Sequence, residues 1–570
     1  MNSLRGILWF ALLAISFLLW QAWMSDYVYR KAEPVAGPVA TTPGDLPTPA
    51  GTTSSDLPTA SAAAATPDGI QAVETPTSAT VETKAPITVR TDTVVMRISP
   101  YGGTVLSVDL LNYRKDAKKA EPKIRLLDDQ AETWFVAQSG LVASTGTAPN
   151  HQTLFESAQS EYTLADGADK LEVPMTWQDG SGLRVTKTLV FSRGSYVVTE
   201  RLTIDNQAAA EFQGNAYHQL QRNAGPARSW SMTNPETYSF VGAAWFSEEN
   251  KFEKLAFEDF AGEPLTRDIT GGWAAMLQHY FFAAWIPAAG EPVKYETRVL
   301  TEAGREHYLI RALGPSFKVP AGQSAQREAR FYAGPKLQND LAAIAPGLPF
   351  VIDYGMVTVI SEPLFWLLDK LHKLVGNWGM AIILVVVILK LLLYPLSEMQ
   401  YRSMAKLRKL QPRIEALKQR YGEDRQKFNQ AMLELYQKEK ANPASGCLPL
   451  LLTIPVFIAL YWVLLESVEL RHAPFYGWIQ NLSERDPYFI LPILNAATMW
   501  ATQKLSPAPV GMDPIQQKIL MYMPLALSLT FAFFPAGLVL YWTVNGALGL
   551  LQQWIIMKRY AGNEAKTPAA

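Results

Sequence analysis

The chain reads as a polytopic α-helical membrane protein with six transmembrane helices, a large β-sandwich domain outside the membrane and a helical hairpin on the cytoplasmic side. Three observations predict this. Apolar runs recur at 6–24, 375–396, 447–466, 488–503, 518–534 and 537–557. Between the first two lies a long stretch rich in β-branched residues and turn signals. The loop at 397–446 carries 11 Lys/Arg, which the positive-inside rule places in the cytoplasm.

In order along the chain, residues 1–24 read as an uncleaved signal-anchor helix. One Arg5 precedes a run longer than the apolar core of a cleaved signal, and Trp20, Trp23, Tyr27 and Tyr29 follow as an interfacial belt. Residues 25–86 are dominated by Ala, Pro and Thr, too poor in apolar surface to offset chain entropy, and read as a disordered outer linker. Residues 87–335 read as the β-sandwich. Thr93–Ser99 and Leu183–Phe191 alternate with period two, and Ser192-Arg193-Gly194-Ser195 signals a hairpin. Trp230, Trp245, Trp273 and Trp285 either line a ligand cleft there or pack the core.

Residues 356–374 predict an amphipathic helix capped by Ser361, with Pro363 in its first turn. Leu364, Leu367, Leu368, Leu371, Leu374 and Val375 share one face, so the helix either lies in the outer interface or packs on the β domain. Residues 375–557 hold five spans. The basic loop puts both chain termini in the cytoplasm and the β domain outside. Spans 488–503 and 518–534, at about 24–26 Å of helix, fall short of a hydrocarbon core of about 30 Å, and they carry Asn495, Thr498, Thr502, Ser528 and Thr530. Short polar spans thin the bilayer or admit water. Within 397–446, Met404, Leu407, Leu410, Ile414 and Leu417 form one stripe; Asp424 caps a second helix bearing Phe428, Met432 and Leu435. This hairpin either meets ribosomes, targeting factors or anionic lipids, or is a solvated loop obeying the charge rule. Residues 558–570 form a short cytoplasmic tail.

The composition excludes several classes. Cys447 is the single cysteine, so no disulfide forms within the chain. No GxxxxGK[ST], HExxH or GxSxG occurs and six histidines are scattered, leaving no handle for nucleotide hydrolysis, hydrolase chemistry, a metal or another cofactor. A net charge of −1 argues against nucleic acid as a main ligand. The informative exception is Lys390, the only charge in GMAIILVVVILKLLLYPL. Such a charge costs about 2.5–3.5 kcal/mol at a span's centre, so Lys390 either snorkels to the headgroups or faces a wet cavity.

The segments LYPLSEMQYRSMAKLRKLQPRI, NPASGCLPLLLTIPVFIALYWVL, SVELRHAPF, DPYFILPILNAATM, DPIQQKILMYMP and FPAGLVLYWTVN, in unbroken order, closely resemble the YidC family of bacterial membrane protein insertases. The anchor, linker and β domain look like its Gram-negative form. The resemblance implies a nucleotide-independent insertase and folding chaperone, not an enzyme. It implies five core helices around a hydrophilic groove, a periplasmic β-sandwich similar to sugar-binding sandwiches, and residence in the bacterial inner membrane. Implied partners are nascent membrane proteins, the Sec translocon with its accessory components, lipids and, through the hairpin, a ribosome or targeting factor. The family's groove cation, commonly Arg, falls on Lys390, a departure that removes the planar fork. Its groove aromatics fall on Tyr541 and Trp542. Asn545, one turn from Tyr541, joins them by helical spacing, with plain packing as its alternative. A transporter or channel with a sugar-sensing outer domain is the competing reading; the absence of an inverted repeat disfavours it.

Overall fold

The computed structural model describes residues 57–58, 84–116, 122–144, 146–225, 239–302, 304–421, 424–439, 448–505 and 528–562, with scattered positions between 518 and 526. The anchor, nearly all of the linker, Trp230, Cys447, parts of the 518–534 span and the end of the tail lie outside the described residues. The chain divides into two compact units at Ile352/Asp353.

In the first unit, alternating apolar residues build two sheets. Strand β10 (Val197–Asn206) is buried at every second position, as a strand with one core face requires. The signalled turn, with Gly194 at φ +70°, joins it to β9 (Leu183–Ser192) with Val198 opposite Phe191. These two pair on through β19 (Gln323–Pro335) and β16 (Phe281–Ile286) in a nine-stranded sheet. A ten-stranded sheet includes β3 (Val105–Arg114), β5 (Phe135–Ala143), β11 (Phe212–Asn223) and β18 (Arg305–Val319). Leu141, Phe212 and Phe317 from the larger sheet meet Val185, Leu202 and Ile204 from the smaller in one core cluster. Trp245, Trp273 and Trp285 are buried; Trp285 donates to the Gln219 carbonyl at 3.1 Å across the sheets. They therefore pack the core and do not line a cleft.

The interior of this sandwich also holds charge. Lys187 on β9 is fully buried, and its ammonium donates to the carbonyls of Gly102 (2.6 Å) and Ser139 (3.0 Å) and to the Ser139 hydroxyl (2.7 Å). Ser139 donates onward to Glu200 on β10, whose other oxygen lies 3.2 Å from His218 Nε2. Glu200 sits 3.6 Å from Lys187. Three acceptors match the three N–H groups of an ammonium, and Glu200 supports the charge while burial pulls the Lys187 ammonium below the usual lysine range. Burial pushes the Glu200 carboxyl up, but Lys187, His218 and Ser139 override it and hold the group at about 2. Gly103 is required beside this centre: a Cβ there would lie 2.9 Å from Lys187 Cδ, on a backbone with φ +67°.

The second unit is helical. Helix α1 (Gln338–Ile344) belongs to the first unit; α2 (Thr358–Val375) opens the second. Helix α2 begins three residues before the expected cap. Ser361 is instead inside it and buried, donating to the Ala459 carbonyl at 3.2 Å on α6 (Leu448–Glu466). Leu364, Phe365 and Leu368 are buried on that face, while Trp366 and Leu374 are exposed.

The run at 375–396 is not one straight helix. Helix α3 (Trp378–Leu392) ends at Leu393, and α4 (Tyr394–Tyr421) restarts at an angle of 64°. Pro395 accounts for the break, because its ring collides with the carbonyl four residues back and it has no N–H to donate. Among the described residues no single helix is long and apolar enough to cross a membrane, and this bent pair passes the test only jointly. Helix α4 packs on α5 (Arg425–Lys438) through Leu410, Ile414 and Phe428, and Asp424 caps α5 by accepting from Gln426 N and Lys427 N. Asp486 organises the start of α7 (Ile490–Leu505), accepting from Trp478 Nε1, Tyr488 N and Leu491 N at 2.7–3.0 Å. The chain ends its described course in α8 (Ala536–Gly562).

Candidate functional site

Helix α3 is set by Asn377, whose side chain accepts from Met380 N at 3.1 Å. Its fifteen residues rise about 22 Å. Ala381, Ile382, Val385 and Val386 are buried, and Leu391 and Leu392 are exposed. Lys390, one turn beyond Val386, therefore follows the buried face. Helix α8 supplies the facing wall. Tyr541 is buried and Asn545 half-buried one turn later on the same side.

Together these residues line a cavity of about 70 Å³. Its walls are Lys390, Val386, Leu389 and Leu393 at the end of α3, Leu396, Ser397, Gln400 and Tyr401 on α4, Val456 on α6, and Tyr541 and Asn545 on α8. No carboxylate is among them. Lys390 Nζ has no ion pair and no hydrogen bond among the described residues. Two bonds tie the α3–α4 corner to α8: Gln552 Nε2 donates to the Lys390 carbonyl at 3.3 Å, and the Tyr401 hydroxyl donates to the Gly549 carbonyl at 3.2 Å. Gly549 borders the amine: a Cβ there would stand 3.4 Å from Lys390 Nζ, in ordinary van der Waals contact.

The structure thus brings Lys390, Tyr541 and Asn545 to one cavity and leaves Trp542 out of its lining. Adjacent residues on a helix point about 100° apart. Trp542 accordingly joins an aromatic cluster, with ring centroids 4.6 Å from Phe457 and 5.4 Å from Phe531. Its indole N–H is buried with no partner among the described residues. Ser397, Gln400, Tyr401 and Gln552 were not singled out from the sequence. The signal was present: Ser397, Gln400 and Tyr401 are spaced i, i+3, i+4 directly after the helix-breaking Pro395.

Chemically the lining offers a cation and several donors to an anion or a carbonyl. Among the described residues no group of His, Cys, Asp or Glu side chains is placed to hold a metal ion.

A family described as "YidC periplasmic domain" matches residues 86–367, and one described as "60Kd inner membrane protein" matches residues 370–564. A membrane protein insertase YidC of Stenotrophomonas maltophilia is 46% identical over 100% of this chain and 99% of its own length. That of Thioalkalivibrio sulfidiphilus is 44% identical over 98% of each chain. A crystal structure of an active YidC insertase with its first transmembrane domain resolved is 18% identical, with a TM-score of 0.36, covering 83% of this chain and 92% of that one.

Proposed function

Because the chain belongs to the YidC family of membrane protein insertases, we propose that the cavity at Lys390 is where it receives the polar part of a substrate. The chain is an inner-membrane protein insertase with a periplasmic β-rich domain and a helical insertase region; it is not an enzyme, and nothing favours a transporter. In the reading proposed, five core helices and the anchor make six spans, both termini are cytoplasmic, α2 rests in the outer interface, and α4–α5 form a cytoplasmic hairpin. The groove opens to the cytoplasm and to lipid. Nascent membrane proteins enter it alone or from the Sec translocon, with a ribosome or targeting factor at the hairpin.

The observation that carries this is a lysine ammonium at a polar cavity with no acidic partner in the lining. An acidic tail supplies the missing counter-charge, and Tyr541 and Asn545 supply hydrogen bonds. Trp542, with Phe457, offers an aromatic surface to the substrate's apolar segment. The driving force lies in the substrate: each CH₂ moved into lipid contributes about 0.8 kcal/mol. The membrane potential adds about 2.3 kcal/mol per negative charge per 100 mV for a tail moving outward.

The test is insertion of a single-span, acidic-tailed protein into liposomes holding this chain alone, read by protease protection of the tail. Protection above empty liposomes that falls on Lys390→Ala supports the reading. Protection unchanged by Lys390→Ala removes Lys390 from the path.

A further inference from the structure

Helix α8 is tied to α3 and α4 by hydrogen bonds, but its seam with α7 holds polar atoms that find no partner among the described residues. We infer that α7 parts from α8 during insertion, and that Asn495 is a positioning residue kept polar for the parted state. This rests on the insertase function and not on where substrate meets Lys390.

Two contacts define the seam. The Thr543 hydroxyl donates to the Leu491 carbonyl at 3.3 Å, and a Cβ on Gly546 would come within 2.8 Å of Thr498 Oγ1. Positions 491, 495 and 498 share one face of α7, so Asn495 is held against α8 between those contacts. It is 1% exposed, and neither its carboxamide oxygen nor its nitrogen has a partner among the described residues. Neither atom has accessible surface, so no water stands against it while the helices are closed. Gln553, two turns beyond Gly546 on the same side of α8, is also 1% exposed, and its Oε1 is unpartnered among the described residues. Dry, unsatisfied carboxamides destabilise the closed seam. The same groups favour any arrangement that wets them.

Little opposes parting. Thr498 and Thr543 direct their hydroxyls to carbonyls of their own helices, at 2.8 Å to Asn495 and 2.7 Å to Val539. The bond Thr543 makes across the seam is the longer of its two. Small residues let helix backbones approach closely and shift by small shears. Some helix must also give way for a polypeptide. The cavity at Lys390, about 70 Å³, is far below the roughly 300–1,000 Å³ of a pocket that takes a small molecule. Gln552 and Tyr401 hold α8 to α3 and α4, so α7 is the partner that moves.

The experiment locks the seam in the full chain. In a Cys447→Ser background, Thr498→Cys/Gly546→Cys places two thiols whose Cβ atoms start 3.4 Å apart, close to the disulfide range of about 3.5–4.5 Å. Insertion of a single-span protein into liposomes holding this variant should fall about tenfold on oxidation and return on reduction, while each single-cysteine variant is unaffected. Full insertion through the disulfide-locked protein overturns the inference. Loss of insertion by the unmutated chain would instead overturn the function on which it rests. Asn495→Leu tests the polar group without a thiol. Thermal stability should hold or rise while insertion falls about fivefold or more. Stability and insertion falling together would mean that Asn495 is satisfied in the closed seam. A rise in stability with full insertion would mean that the working cycle does not use it. Either result overturns the inference.

Discussion

Two lysines in this molecule are taken out of bulk water in opposite ways. Lys187 lies between two sheets with each of its N–H groups matched, to Gly102, to the Ser139 carbonyl and to the Ser139 hydroxyl, and with Glu200 at 3.6 Å. Lys390 ends an apolar helix beside a cavity, tied down through its backbone carbonyl while its amine is left without a partner among the described residues. Burial of a charge is tolerated when the protein itself supplies the counter-charge and acceptors. Where it does not, a wet cavity or a visiting ligand must. On the function proposed above, the difference separates a structural charge from one held for another molecule.

The largest effect should come from breaking the satisfied site. Lys187→Met leaves Glu200 buried beside Ser139 and His218 without its cation, and removing one partner of a buried pair costs about 3–5 kcal/mol. Hydrogen exchange in β9 and β10 of the full chain should quicken accordingly, and Lys187→Met/Glu200→Leu should recover much of the loss. No recovery would mean that the network, and not the unpaired carboxylate, sets the cost. The same type of change at Lys390 should read out in activity. Lys390→Glu should reduce insertion of acidic-tailed substrates about tenfold or more, equivalent to roughly 1.4 kcal/mol, and Lys390→Arg far less. Equal insertion by the two variants would show that charge at 390 is irrelevant and that the comparison fails.

A smaller effect follows from acid. The folded carboxyl of Glu200, at about 2, lies below the ordinary value of 4.5. Its contribution is therefore fully present above about pH 4.5 and is lost as pH falls through the folded value. Protection of the β10 amides should decline across that window in the parent and decline less in Glu200→Gln. Matching slopes would place the acid sensitivity elsewhere.

How legible each lysine was depends on which periodicity it interrupts. Lys390 stands out because a helix-length apolar run tolerates no charge unexplained. Lys187 falls in phase with Leu183, Val185 and Leu189 on the inward face of LRVTKTLVF, so the alternation marks a buried charge without saying what satisfies it. Of its partners, Glu200 lies on the hairpin-paired strand β10, but Ser139 comes from β5 of the other sheet and Gly102 from the turn before β3, so only the packing of the two sheets reveals them. The β character of the domain, the turn at Gly194 and the stripe through Leu410 and Ile414 were readable because each is a local pattern. Pro395 announces the bend at Leu393, but apolarity that continues unbroken through Leu396 reads as one span. The rising charge density after Leu396 then hid Ser397 and Gln400 in a supposed loop. Ser361 misled in the same way: a hydroxyl before Pro363 looks like a cap until Ala459 is seen to accept from it.

The smallest expected effect tests whether Lys390 is held by its backbone or by what fills the cavity. Gln552→Leu removes the 3.3 Å bond from its amide to the Lys390 carbonyl. It also removes Gln552 Oε1, a buried acceptor with no partner among the described residues, so the loss of one bond is offset by the loss of one unsatisfied atom. Hydrogen bonds between helices in membranes average about 0.6 kcal/mol in any case. Thermal stability should shift by less than about 1 kcal/mol, and insertion of an acidic tail should stay within about threefold of the parent. A tenfold fall with unchanged stability would mean that the α8 tether sets the position of the amine. The contrast between the two lysines would then narrow, since both would be fixed by the protein's own hydrogen bonds and would differ only in whether the amine itself is satisfied.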